Sequence, residues 1–454
     1  MPFTNTEEEE LVRIGPGTPS GEVFRRYWLP VECSANLGSG RGAFSGAKNP
    51  LRLKILGEEL VLFRDASGKP GLLAEHCSHR GTSLFYGRVE DNGIRCLYHG
   101  WLYDQNGSCL DTPSEPPGSS FKLTVKHPSY PCVEAGGLIF AYMGPPDRQP
   151  VFPRYHQLFR EDGVRVTGNG GYIEQCNVFQ ALHDNTLDHW HNEIAHGWFR
   201  GTKPPHHLYY DENGELATPI RWDRAPWGTR YMAVKATDKP GKWEYHETNI
   251  VFPTQRCVFE GARSMKWAVP VDDYRTRWFT VDFFPFEEDG KMPSAAVRLQ
   301  NSEFHIGRTE KLPIDWAQQV GAWWNLGHPW RQGNLWEDEV AQQTQGPEDR
   351  HYLPDWEKWR LASSDRGLVL TREVWREQIE RVRQGLDPIG VIRDPKEDRE
   401  ILITSDAIFD LDKEEALRWY NMSAPERLRL LAERDDADYA YLESAHVMSG
   451  DARR

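Results

Sequence analysis

No stretch of this sequence stays apolar for the ~20 residues that a membrane-spanning helix requires. The opening residues, MPFTNTEEEELVRIG, contain no basic cluster followed by an apolar core. Neither a membrane span nor a secretory leader is therefore expected, and a cytoplasmic location is. Basic charge is also scarce, with 54 Lys and Arg against 68 Asp and Glu, for a net charge of -14. This argues against a nucleic-acid partner, which needs clustered cations against its phosphates. Cysteine is sparse: seven in 454 residues, irregularly spaced. An odd, scattered set in a chain of this length fits thiols or metal ligands better than a disulfide framework. No internal repeat or low-complexity tract is present. Nor does a G-x-G-x-x-G dinucleotide-binding fingerprint follow a strand.

What is present is a globular composition, 39% hydrophobic and 27% charged, in a chain too long for one core. The 18 Trp suit aromatic-lined pockets or ordinary packing equally. Residues 1–30 read as a short helix, a GPGTP turn and the amphipathic stretch GEVFRRYWLP. From Leu51 to about Tyr142, the runs LRLKIL, ELVLFR, GLLAEH, GIRCLYHGWLY and GLIFAYM alternate with turn residues, as in a small all-β domain. GPPDRQPVFPRY is a proline-rich connector. Gln175 to about Ala195 lacks Gly and Pro and reads as one helix. Residues 205–300 return to strands (YMAVKA, TNIVFP, WFTVDFF, AAVRL), an antiparallel sheet. From Trp316 onward the pattern is mainly helical, ending in a helical pair. Strands and helices in separate blocks indicate an α+β fold.

The densest chemistry lies in Cys77-x-His79, then sixteen residues, then Cys96-x2-His99. Each half sits at a strand–turn junction, so two hairpin tips can clamp one metal group from opposite sides. Two Cys and two His also make a structural zinc tetrahedron, but zinc fingers usually pair Cys with Cys and His with His. Mixed halves suit a two-iron cluster, with Cys77 and Cys96 on one iron and His79 and His99 on the other.

A second constellation is CNVFQALHDNTLDHWHNEIAH, which holds Asp184, Asn185, Asp188, His191 and His196. In a continuous helix Asp184, Asp188 and His191 share a face. His196 lies about 140° further round from His191, so the helix should bulge or end near residues 193–195. Two His and one carboxylate on one side of an iron leave positions open for O2 and water. His183 and His189 compete for the same role.

CSHRG followed by CLYHGW resembles the C-P-H-R-G and C-x-Y-H-G-W signature of the Rieske ring-hydroxylating oxygenases, with Ser78 in place of the usual Pro. The second segment resembles that family's D/E-N-x2-D-x2-H-x4-H. NLWEDEVAQQTQGP resembles its distal acidic helix, and SDRG and GLDPIGVIR resemble the phthalate dioxygenase and aromatic O-demethylase group. The resemblance implies an all-β Rieske domain plus a catalytic domain with an antiparallel sheet flanked by helices, helix-grip-like. It divides the chain into an N-terminal segment packing on the catalytic domain (1–48), the Rieske domain (49–150), the catalytic domain (151–404) and a C-terminal helical extension (405–454). It implies one 2Fe-2S cluster on Cys77, His79, Cys96 and His99. It also implies one mononuclear Fe(II) on His191, His196 and Asp338, with Glu337 and Glu339 as alternatives to Asp338.

Asp188 would bridge the two centres across a subunit interface, reaching His99 of a neighbour, and Asn177 would line the iron pocket or open the helix. The implied partners are O2, an aromatic acid and a reductase with flavin and plant-type 2Fe-2S, in a homotrimer or hexamer. The expected reaction is O-demethylation of a methoxylated, lignin-derived acid, or else phthalate-type cis-dihydroxylation. A Rieske electron carrier without oxygenase chemistry is the remote alternative. His246 falls near the position of a substrate-binding Arg in that group, which weakens phthalate itself as substrate. Arg221, Arg224 and Arg230 remain possible carboxylate partners.

Overall fold

The computed structural model describes residues 6–39, 48–168, 173–191, 219–258 (except 238), 264–297 (except 288 and 295), 338, 341–347, 351–401 (except 352), 406–423, 426–427 and 430. Two short helices, α1 (Thr6–Val12) and α2 (Pro19–Phe24), lead into β1 (Trp28–Cys33). Thr18 caps α2 by accepting from the Gly21 N–H, and Pro19 occupies the first helical position, where its missing N–H costs nothing.

Alternation shapes the next strand. In β2 (Leu51–Ile55), Leu53 and Ile55 are buried while Arg52 is exposed. It pairs with β3 (Glu58–Arg64), whose centre, Leu60–Phe63, is buried throughout because both faces are covered. With β4 (Pro70–Ala74) and β9 (Ser129–Tyr130) these strands form one four-stranded sheet. A second sheet joins β5 (Arg88–Glu90), β6 (Gly93–Arg95), β7 (Leu102–Tyr103) and β8 (Cys109–Asp111). Between the two lies a core of Val61, Phe63, Leu73, Leu84, Ile94, Trp101 and Tyr103, which also takes in Cys77 and Cys96. β10 (Cys132–Ala135) and β11 (Leu138–Tyr142) close a three-stranded sheet with β1.

The larger sheet has nine strands and antiparallel pairing throughout. Its order is β12 (Gly163–Thr167), β19 (Arg275–Pro285), β18 (Ser264–Asp272), β17 (Gln255–Val258), β16 (Trp243–Val251), β15 (Gly228–Ala236) and β14 (Ile220–Ala225), with β13 (Ile173–Glu174) on β19. The α+β class is as expected, and three local expectations are corrected. Gln175–Ala195 is not one helix: a π-helical turn at Phe179–His183 ends in turns, and a new short helix begins at His189. AAVRL is not a strand over its described residues, since Ala296 and Val297 are helical and the Val297 N–H bonds to the Pro293 carbonyl. The boundary expected at 405 cuts the sheet, because β20 (Asp406–Leu411) pairs with β16.

The helix Arg366–Arg383 buries Leu368, Thr371, Arg372, Trp375, Ile379 and Val382, one stripe at helical spacing. Trp375 lies 4.9 Å from Phe24 of α2 and 5.0 Å from Phe179 of the π turn. The N-terminal segment and the segment carrying His191 therefore share one core. Lys413–Asn421 forms a helix on the opposite sheet face, capped by Asp412. The remainder of the expected terminal pair lies largely outside the described residues, as does the stretch from Trp316 to residue 337. No helix among the described residues is long and apolar enough to cross a membrane.

Candidate functional site

The two Cys/His motifs fold as the same turn. The Gly81 N–H bonds to the Cys77 carbonyl at 2.9 Å and the Gly100 N–H to the Cys96 carbonyl at 3.1 Å. Each cysteine's own N–H reaches five residues ahead, to Thr82 and to Trp101. Both glycines sit at φ +75°, a conformation costly for any residue with a Cβ, which explains Cys-x3-Gly in both halves. The cysteines are buried, whereas His79 is exposed and His99 half-buried. The imidazole rings meet edge to face at 4.5 Å, and His79 stacks on Trp101 at 4.4 Å.

Burial raises the Cys96 thiol, and the nearby Cys77 raises it further, while the N–H groups of Tyr98 and His99 pull it down. Desolvation lowers the His99 imidazole, helped by His79 and Arg80. Two soft sulfurs facing the core, with backbone donors beside one of them, and two imidazoles facing outward form a donor set that fits a two-iron cluster. Tyr103, a residue the motif reading left out, places its hydroxyl 3.2 Å from Cys77 Sγ. Its signal was present in the alternation Trp101-Leu102-Tyr103.

The second constellation is built from the break in the helix. Asn177 Oδ1 accepts the Phe179 N–H at 2.9 Å, and Gln180 Oε1 accepts the Asn177 N–H at 3.2 Å, a reciprocal cap. Asn177 Nδ2 donates to the carbonyls of Val12 and Asp273. Its amide is thus engaged in holding backbone together at the opening of the helix. The Asp184 N–H then bonds to Phe179 O, five residues back, and the chain turns out of the helix. Asp188 starts the next helix, its Oδ1 accepting the N–H groups of Trp190 and His191 at 3.0 and 3.2 Å. Asp184, Asp188 and His191 therefore do not share a continuous helical face.

Asp184 is engaged by Arg372 of the helix Arg366–Arg383. Both of its oxygens receive the guanidinium of Arg372, at 3.3 and 3.0 Å, and that guanidinium lies over Trp356 at 4.1 Å. Burial raises the Asp184 carboxyl, with Arg372 opposing. Replacing Asp184 by Ala strands a buried guanidinium, and the urea midpoint is expected to fall by the equivalent of about 3–5 kcal/mol.

His183 is fully buried and accepts from the Trp375 indole at Nδ1, 3.2 Å away. Desolvation lowers its pKa from 6.5 to about 3. It is neutral in both folded and unfolded chains above pH 6.5. Between 6.5 and 3 only the unfolded chain takes up the proton, so stability falls with pH by up to about 1.4 kcal/mol per unit. Denaturation midpoints between pH 7.5 and 5 should show that slope, and His183→Phe should flatten it.

His191 Nδ1 lies 2.9 Å from the Asp188 carbonyl and therefore carries the proton, leaving the Nε2 lone pair directed at Asp338 Oδ1, 3.2 Å away. Gln180 Nε2 donates to Gln342 O at 2.8 Å, tying the helical residues 341–343 to the π turn. At this separation Nε2 and the buried carboxylate oxygen can share a proton or hold one cation as adjacent ligands. Burial raises the Asp188 carboxyl, while the His191 ring and the two capped N–H groups pull it down. His196, Glu337 and Glu339 lie outside the described residues. Among the described residues, no three His, Cys, Asp or Glu side chains form a group that could hold a single metal ion.

His189 is buried against Tyr231 at 5.3 Å and lies 6.4 Å from His246 on the sheet. His246 Nε2 is 3.0 Å from Glu244 Oε1, which also receives Lys235 Nζ at 2.5 Å. The three arginines each face a carboxylate already: Arg221 that of Asp223, Arg224 that of Glu377, and Arg230 that of Glu247.

Residues 29–131 match the family model of the Rieske [2Fe-2S] domain. Over 404 residues the chain is 33% identical to the phenoxybenzoate dioxygenase subunit alpha of Ectopseudomonas oleovorans, spanning 85% of this chain and 87% of that one. It is 29% identical over 405 residues to the 5,5'-dehydrodivanillate O-demethylase oxygenase subunit of Sphingobium sp. (strain NBRC 103272 / SYK-6), spanning 86% and 83%. The crystal structure of dicamba monooxygenase bound to dicamba superposes with a TM-score of 0.53 at 17% identity, covering 80% of this chain and 98% of that one, a likeness of fold. Because the 33% kinship runs far beyond the Rieske domain and through the region of His191 and Asp338, the chain belongs to the Rieske non-haem iron oxygenases, as an oxygenase (alpha) component with a 2Fe-2S cluster and a mononuclear iron.

Proposed function

We propose that this oxygenase oxidises an aromatic acid, with O-demethylation of a methoxylated, lignin-derived ring ahead of cis-dihydroxylation. The observation that carries the aromatic-acid reading is near-full-length kinship with the phenoxybenzoate and dehydrodivanillate enzymes. The first of these favours the dihydroxylation alternative. The inner polar row Lys235–Glu244–His246 is charge-compensated, and the candidate arginines are already paired, which suits a substrate less anionic than phthalate. His246 would then meet the substrate's polar edge.

In this reading Cys77, His79, Cys96 and His99 hold the cluster, and His191, His196 and Asp338 hold the iron. When bound, the cluster supplies single electrons and the iron binds and activates O2. Asp188 orients His191 from one side, and Asp338 faces it from the other. The electron source is a separate reductase with flavin and plant-type 2Fe-2S.

A homotrimer or hexamer brings the cluster tip of one subunit to Asp188 of the next, with His99 the imidazole it meets. Supporting this, the tip carries exposed Leu97 (67%) and Tyr98 (59%), with exposed Phe121 (43%) against Trp101, a surface that calls for cover. The same reading keeps the cluster domain at 49–150 and lets the iron domain, from 151, take in β20. A panel of aromatic acids with a surrogate reductase under labelled O2 tests the reaction. Formaldehyde release from a methoxylated acid is expected, and a labelled cis-diol would replace demethylation by dihydroxylation.

A further inference from the structure

Ser78 stands in the first cluster turn where the signature it resembles has proline, whose ring would hold φ near −65°. The structure gives this serine a partner from outside both motifs. Ser78 Oγ lies 2.7 Å from His127 Nδ1, and His127 Nε2 lies 2.9 Å from the Ala74 carbonyl at the end of β4. A carbonyl only accepts, so Nε2 carries the proton and Nδ1 accepts from the serine hydroxyl. His127 has no exposed surface, and burial lowers its pKa, keeping the ring neutral.

The backbone around it is fixed as well. The His127 N–H bonds to Gly107 O at 2.8 Å, and a Cβ on Gly107, at φ +77°, would come within 2.0 Å of the His127 carbonyl. The imidazole packs on the Tyr103 ring at 4.6 Å, and the Tyr103 hydroxyl reaches Cys77 Sγ. One buried imidazole thus touches Ser78, within the Cys77 turn, and Tyr103 of β7, whose hydroxyl reaches Cys77.

We propose that His127 is a positioning residue for the cluster, holding the Cys77–His79 turn through Ser78 by a hydrogen bond where a proline ring would otherwise restrain it. The proposal rests on Cys77 and His79 being cluster ligands, which is tested separately: Cys77→Ser must abolish the Rieske EPR signal.

The experiment uses the holoprotein and two readouts, the line width of the reduced cluster's EPR g-features and the rate at which visible absorbance is lost in chelator. Ser78→Ala is expected to broaden the spectrum and to lose the cluster roughly fivefold faster, the scale of one hydrogen bond. Ser78→Thr keeps the hydroxyl and Ser78→Pro supplies the ring, so both should match the unmodified protein. His127→Phe keeps the contact with Tyr103 and should be at least as impaired as Ser78→Ala, with no further loss on adding Ser78→Ala to it. The proposal is overturned if Ser78→Ala leaves both readouts unchanged, if it lowers only the Tm, if Ser78→Pro is as impaired as Ser78→Ala, or if the two single effects add in full.

Discussion

Replacing Asp338 by Ala is expected to remove the mononuclear iron and spare the cluster. Iron content should fall from about three to about two per chain, with the visible and EPR signature of the cluster intact and turnover at background. The expectation follows from proton placement. His191 spends its Nδ1 proton on the Asp188 carbonyl, so Nε2 presents a lone pair to a carboxylate oxygen 3.2 Å away. A proton on Nε2 satisfies this pair when no metal is bound, and a cation held by both atoms as adjacent ligands takes its place. Glu337→Ala and Glu339→Ala should retain the iron. If instead Asp338→Ala keeps its full iron and one of the neighbouring variants loses it, the third ligand is reassigned.

Asp188→Asn should leave both metal groups in place and lower turnover about a hundredfold, the upper end of what outer-shell partners of metal ligands contribute. The amide oxygen can still accept the N–H groups of Trp190 and His191, so the helix start survives. The bond from His191 Nδ1 to the Asp188 backbone carbonyl is unaffected by the change. What disappears is the negative charge and the second oxygen, 3.7 Å from His191 Nδ1. Single-turnover transfer from a pre-reduced cluster separates the cases. A slow transfer step with full iron content supports the bridge, and unchanged transfer removes it.

The cluster turns were readable because each closes on itself: a cysteine carbonyl, a glycine N–H four residues on, and the histidine between them. The π turn was not. Gln175–Ala195 contains no Gly or Pro to announce a break, and the break comes from Asp184 bonding five residues back and Asp188 capping a new helix. Asp184 looked like a site carboxylate because its partner Arg372 is 188 residues away. Asn177 could be read as lining a pocket or opening the helix for the same reason, since the carbonyls it binds belong to Val12 and Asp273. β20 was read within a helical tail because a sheet strand depends on its neighbour β16 for half its hydrogen bonds.

By itself, then, the sequence determined the α+β class, the paired Cys/His turns and the segment holding His191. Those features depend on residue alternation and on hydrogen bonds within a few positions. Only the tertiary structure decided which carboxylate faces His191, which serves Arg372, and that a buried histidine 49 residues from Ser78 grips the first cluster turn. A side chain's role in those cases is set by which donor or acceptor the packed core brings to it, and that choice is made between distant parts of the chain.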